Sequence, residues 1–103
     1  SSLGYRLTTM HHPIEALDLF RSCPEDHDLI ITEHELRPMS GLLLIREIRL
    51  IRPDIPIILC SAARHLQSTA RAESLGIHGH LFAPIHTNEL IANIKSLFGK
   101  KLL

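Results

Sequence analysis

The apolar positions of this chain switch between two periods. Residues 5–10 alternate apolar and polar and are rich in β-formers, which predicts a strand. Pro13 then stands where a first helical turn tolerates proline, and Ile14, Leu17 and Phe20 recur at helical spacing. Cys23-Pro24 ends that helix, because a residue before proline is pushed out of the α region. Residues 29–32 (Leu-Ile-Ile-Thr) are a short continuous apolar run, the mark of a strand covered on both faces. A polar loop over 33–39 leads to Ser40, which can cap a helix carrying Leu44, Ile45, Ile48 and Ile51 as far as Arg52-Pro53. Residues 57–60 predict a second buried strand. Residues 66–75 predict a weaker helix, with Ala70 on its inner side and Gly76 as its stop. Residues 80–82 predict the last strand. Thr87 is placed to cap a final helix bearing Leu90, Ile91, Ile94 and Leu97, with Gly99 and two lysines at its end.

The predicted order is β-α-β-α-β-α-β-α, without repeats or low-complexity linkers. Short buried strands alternating with helices call for an α/β fold: a parallel sheet with right-handed crossovers. In such sheets the chemistry lies beyond the carboxyl ends of the strands. Residues 10–13, 33–39, 61–65 and 83–86 are therefore the places to inspect. The 103 residues form one domain, 1–103, and a composition 45% hydrophobic and 21% charged supplies a core. Eleven basic residues balance eleven acidic ones, which argues against nucleic acid as a partner. No apolar run is long enough for a membrane helix and no leader is visible, so the expectation is a cytoplasmic domain with no membrane partner. Cys23 and Cys60 form no spaced framework, which fits a reducing compartment, and Cys60 is read as a packed strand residue.

Three strand ends carry candidate chemistry. Glu33 follows 29–32, where a carboxylate can act as nucleophile, metal ligand or base, or stand as a solvated loop acid. Ser61 follows 57–60 beside the small Ala62, where a hydroxyl can bond an anion or satisfy backbone. Ala83-Pro84 ends the last strand without a reactive group, and Pro84 is a candidate cis-proline. His78 and His80 form an H-x-H pair that would join His34, His65 or His86 around zinc. Two imidazoles fall short of the four ligands a structural site takes, so no metal site is expected.

The stretches LGYRLTT, EALDLFRSCPEDHDLIITE, PMSGLLLIREIRLIRPDIPIILCSA and ESLGIHGHLFAPI, with the closing amphipathic helix, resemble a bacterial response-regulator receiver domain. The variety at the carboxyl end of hybrid sensor histidine kinases looks most similar. The resemblance implies a flavodoxin-like receiver fold, (βα)4 here, with the family's first strand and helix missing. It also implies a role in two-component phosphorelay signalling, with a histidine kinase or a fused signalling domain as partner. The family's phosphoryl-accepting aspartate falls at Glu33 and its Ser/Thr switch residue at Ser61. Its lysine falls at Ala83, ahead of Pro84, and its aromatic switch residue at His80. Gly41 matches the glycine that opens the helix after the acceptor loop; Arg37 stands at the loop's proline position, with Pro38 shifted by one.

Three departures shape the functional expectation. Glu33 displaces the carboxylate by one methylene, and a misplacement near 1 Å costs ~10²-fold in a positioned reaction. Ala83 lacks the ammonium that would pair with phosphoryl oxygens. The resemblance begins at the family's second strand, so the acidic Mg²⁺-binding pair is not represented, and no cofactor is expected although the family uses Mg²⁺. The reading is a pseudo-receiver: not an enzyme, not competent for phosphoryl transfer, acting by protein contact. The alternatives are a receiver weakly phosphorylated on Glu33, or completed by a strand supplied elsewhere, and, further off, a small metal-dependent enzyme.

Association is expected as well. Leu42, Leu43 and Leu50 widen the apolar arc of their helix beyond its inner stripe, toward a contact face. The family's absent strand would lie between 5–10 and 29–32. Either 5–10 moves over to pair with 29–32, or two chains share elements. The absent helix would also leave strand Ile and Leu facing water. A homodimer through that sheet face and residues 86–90 is the expectation.

Overall fold

The computed structural model of the chain describes residues 7–10, 12–62 and 69–102. The elements are β1 (Leu7–Met10), α1 (Pro13–Ser22), a 3₁₀ turn (Pro24–Asp26), β2 (Leu29–Glu33), α2 (Gly41–Ile51), β3 (Ile57–Ser61), α3 (Thr69–Ser74), β4 (Gly79–Phe82) and α4 (Thr87–Leu102). The four strands form one parallel sheet in the order β1-β2-β3-β4, with Leu7 opposite Leu29, Ile30 opposite Ile57 and Ile58 opposite Gly79. The α/β class with one parallel sheet is therefore as expected.

Topology decides which face each helix covers. Every crossover moves one strand in the same direction, so right-handed connections drop α1, α2 and α3 on one face. Leu17 and Phe20 of α1, Leu44, Ile45 and Ile48 of α2, and Ala72 of α3 pack there on Ile30, Ile57 and Leu59. After β4 there is no further strand, and α4 turns to the other face. Its Ile94 and Phe98 close over Leu29, Ile31, Ile58 and Leu81. The odd and even residues of β2 and β3 thus feed two separate cores, as a strand buried on both faces requires.

Several sequence expectations are corrected. The strand over 5–10 is described from Leu7 on, and it pairs directly with β2, so strand displacement is the solution the fold adopts. On the other sheet face the described Ile and Leu side chains of β2, β3 and β4 are not in water: Leu29 and Ile58 are 0% exposed, Leu81 4% and Ile31 9%. One long helix is enough, because α4 has 16 residues and spans ~24 Å. Ile14 is solvent-exposed and lies outside the core stripe of Pro13, Leu17 and Phe20. Ala70 is exposed and Ala72 buried, since two residues rotate a helix by ~200°. Of the helix expected over 66–75, α3 spans Thr69–Ser74, and 66–68 lie outside the described residues. Leu42 is buried and does not belong to the outer arc. The final helix begins at Thr87, which leaves the capping position to His86, and it runs through Gly99 to Leu102. Gly76, by contrast, does stop its helix, with φ +75°.

Arg49 ties the α2–α3 side of the domain together. Its Nε donates to the Leu75 carbonyl at 3.0 Å, its Nη1 to Ile55 at 2.6 Å and its Nη2 to Gly76 at 2.8 Å. These are the orphan carbonyls of a loop and a helix end, satisfied by one planar fork. Burial lowers its pKa from the ordinary value and nearby Asp54 offsets this in part.

Candidate functional site

The carboxyl ends of β2, β3 and β4 converge on an open pocket of about 240 Å³, lined by Glu33, Glu35, Cys60, Ser61, Ala62, Ala83 and Ile85. Parallel register puts Glu33 opposite Cys60 and Ser61 opposite Phe82. Glu33, Ser61 and Ala83 therefore meet at one place, as the sequence implied. Strand alternation then separates them by face. Cys60 packs with the α4 core, whereas Leu59, two residues before Ser61, packs with the α1–α3 core.

Gly41 sets the shape of the acceptor loop. A Cβ there would overlap the Glu33 carbonyl oxygen and lie 2.9 Å from the Glu33 carbonyl carbon and 3.0 Å from His34 Cα. Only a residue without Cβ lets the start of α2 approach the end of β2 this closely. The approach is fixed by Gly41 N–H donating to the His34 carbonyl at 2.9 Å, and by His34 N–H donating to Cys60 at 2.8 Å. Ser40 caps α2 as expected, its Oγ accepting from Leu43 N–H at 3.3 Å.

Ser61 and His80 form a direct pair. Ser61 is 4% exposed, and its Oγ lies 2.8 Å from His80 Nε2. The ring of His80 packs on Phe82 with centroids 4.3 Å apart, and its buried Nδ1 has no hydrogen-bond partner. Burial lowers the His80 pKa, with Glu73 opposing the shift. A neutral imidazole with Nε2–H donating to Ser61 leaves only a lone pair unmet at Nδ1, the cheaper orphan. His78 lies outside β4; its Nδ1 accepts from Ile57 N–H at 3.3 Å, and burial and Arg49 lower its pKa. The two histidines therefore serve different partners. His86 is exposed, and His65 lies outside the described residues. Among the described residues no group of three His, Cys, Asp or Glu is placed to hold a metal ion.

The remaining site positions follow the strand ends. Ala83 is exposed, its N–H donating to the Ser61 carbonyl at 2.7 Å, and the Ala83-Pro84 bond is cis. Arg37-Pro38 in the acceptor loop is cis as well. Cys60 is packed as expected but also lines the pocket, and burial, then Glu33 and Glu89, push its thiol pKa up. Glu35 and Ile85 are pocket residues that sequence reasoning missed; each stands two positions beyond a strand-end candidate, and no pattern marks it out. The described lining holds two carboxylates and no cation. Glu33 with Glu35 does not by itself supply the octahedral oxygen set that Mg²⁺ prefers.

A parallel sheet with a carboxylate, a hydroxyl and a cis X-Pro bond at successive strand ends makes this a flavodoxin-like α/β domain. Residues 1–95 match the response regulator receiver domain, and the chain belongs to that family. A response regulator receiver domain protein from Clostridium thermocellum superposes with a TM-score of 0.84 at 24% identity, over 97% of this chain and 79% of that one. A response regulator receiver protein from Pseudomonas putida is 28% identical, with a TM-score of 0.70 over 80% of this chain and 69% of that one. The cell cycle response regulator CtrA of Brucella abortus is 31% identical over 72 residues, 70% of this chain. The chain spans 31% of the length of that relative. No helix among the described residues is long and apolar enough to cross a membrane.

Proposed function

We propose that this receiver domain is a contact module of two-component signalling that carries no phosphoryl group. The observation that supports it best is the pocket lining: Glu33 stands at the acceptor position with Glu35 beside it, and Ala83 supplies no countercharge. A donor missing from such a site typically costs ~10²–10³ in rate.

In this reading the domain turns over no substrate and needs no Mg²⁺. It works in the cytoplasm, where its partner is a histidine kinase or a signalling domain fused to it. Intact mass after incubation with a small-molecule phosphodonor and Mg²⁺ tests it. The expected result is the unmodified mass. A stoichiometric phosphoryl adduct on Glu33 overturns the proposal and establishes a glutamate-accepting receiver.

A further inference from the structure

The outer face of α2 is not polar. Leu43 is 42% exposed and Leu50 74%, and they stand seven residues apart, so both fall on one line along the helix. Between them, Arg46 and Glu47 lean to opposite sides. Glu47 leans toward α1, where Arg21 Nη2 reaches its carboxylate at 4.0 Å. Arg46 leans toward α3, where it lines a shallow pocket with Leu42, Leu43, Arg71, Ser74 and Leu75. Neither Arg46 nor Arg71 has an ion-pair partner among the described residues. On the α1 side the exposed Glu15 and Asp18 extend the Glu47 flank, and Arg21, 3.7 Å from Asp18, lies among them, so the flank sets the carboxylates of Glu15, Asp18 and Glu47 against one guanidinium. The helical layer therefore presents an apolar ridge with an acidic flank on one side and a basic flank on the other.

A surface divided in this way is complementary to itself under one operation. A two-fold axis parallel to α2 stacks two copies with their α2 helices side by side and parallel. It sets Leu43 against Leu43 and Leu50 against Leu50 of the second copy. It also lays each basic flank on the other copy's acidic flank, bringing Arg46 beside Glu47 twice. A two-fold axis across the helix would instead set Arg46 beside Arg46 and Glu47 beside Glu47. The charge division selects the parallel arrangement. Ile14 and Leu19, the exposed apolar residues of α1, lie on opposite flanks of that helix and form no comparable ridge.

We propose that the outer face of α2 is an isologous docking surface for a second copy of this chain, with the two α2 helices parallel. This inference rests on no part of the phosphoryl reading. It also moves the expected dimer away from the sheet face, which α4 covers.

Sedimentation equilibrium of the full chain from ~1 to ~500 µM reads the association. The surface is small, so the expected dissociation constant is on the order of 10–100 µM. Arg46→Glu and Glu47→Arg each place like charges on both flanks and are expected to weaken the dimer at least ~10-fold. Mixing those two variants is expected to restore association, because each flank then pairs opposite charges again. In a Cys23→Ser background, Leu50→Cys is expected to form an intermolecular disulfide under mild oxidation, since the two-fold brings position 50 onto itself. Circular dichroism verifies that each variant is folded. A chain monomeric at ~500 µM overturns the proposal. So does a dimer indifferent to both charge reversals, which would place association elsewhere. Failure of Leu50→Cys to cross-link overturns the parallel arrangement.

Discussion

Substituting Gly41 by alanine is the sharpest test of how the acceptor loop is built. The added Cβ would meet backbone, not a movable side chain: the Glu33 carbonyl oxygen and carbon, and His34 Cα. Relief requires α2 to back away from the end of β2, which strains the Gly41–His34 hydrogen bond and displaces the Ser40 cap. Overpacking of a close-packed site costs ~1–3 kcal/mol, and loss of a cap ~1 kcal/mol. Alanine returns at most ~1 kcal/mol of helix propensity relative to glycine. The net expectation is a loss of about 1–3 kcal/mol, a large share of the ~5–15 kcal/mol available to a domain. At ~4–8 °C per kcal/mol, the melting temperature falls by roughly 4–24 °C. Urea titration followed by circular dichroism gives the free energy directly. A Gly41→Ala variant within ~0.5 kcal/mol of the parent would refute the close approach of Gly41 to Glu33.

Three further outcomes are expected. Arg49→Met removes the fork that serves the Ile55, Leu75 and Gly76 carbonyls and should cost about 2–4 kcal/mol in urea titration, with Arg49→Lys recovering only part; a loss under ~0.5 kcal/mol would contradict that role. His78 and His80 are held below the ordinary histidine pKa chiefly by burial, so the folded state takes up protons later than the unfolded chain. Their contribution to stability is complete above pH ~6.5 and is lost as pH falls through the folded pKa values; His80→Gln should flatten the pH dependence of the melting temperature in that range, and an unchanged profile speaks against it. Cys60, raised in pKa by burial, Glu33 and Glu89, should alkylate at least ~10-fold more slowly at pH 8 than the exposed Cys23, and Glu33→Gln should accelerate it; faster labelling of Cys60 than Cys23 would contradict the packing.

The strands were legible because residues 29–32 and 57–60 have almost no polar atoms to expose, and only a doubly covered strand tolerates that. The Ser40 cap and the Gly76 stop were legible because each rests on one residue's chemistry. Ile14, Ala70 and Phe98 were not, since the inner stripe of a helix depends on where it docks and not on its own pattern. Phe98 follows the foreseen Ile94 by one helical step of four, inside the expected helix, but the sequence reading ended the inner stripe at Leu97. At the site, Glu33, Ser61 and Ala83 lie around one pocket because strand ends in a parallel sheet converge. The Ser61–His80 bond is a diagonal contact between neighbouring strands, and sequence alone does not fix the register that creates it. The covering of the second sheet face likewise depends on the length and direction of α4.

The strand order also says how this chain can assemble. Among the described residues each strand pairs only with the strand before and after it in sequence, so none of these pairings waits for a distant segment. Loop closure is limited to one helix and its connections at every step, which keeps the entropy of each closure small. Such a sheet can grow from one end, each β-α unit docking on the one already in place. The reverse process has the same geometry. Opening begins at β1 or β4, which among the described residues have a neighbour on one side only, while β2 and β3 stay paired until the last. Amide exchange should therefore rank the strands by position in the sheet, slowest in β2 and β3 and fastest at its two borders.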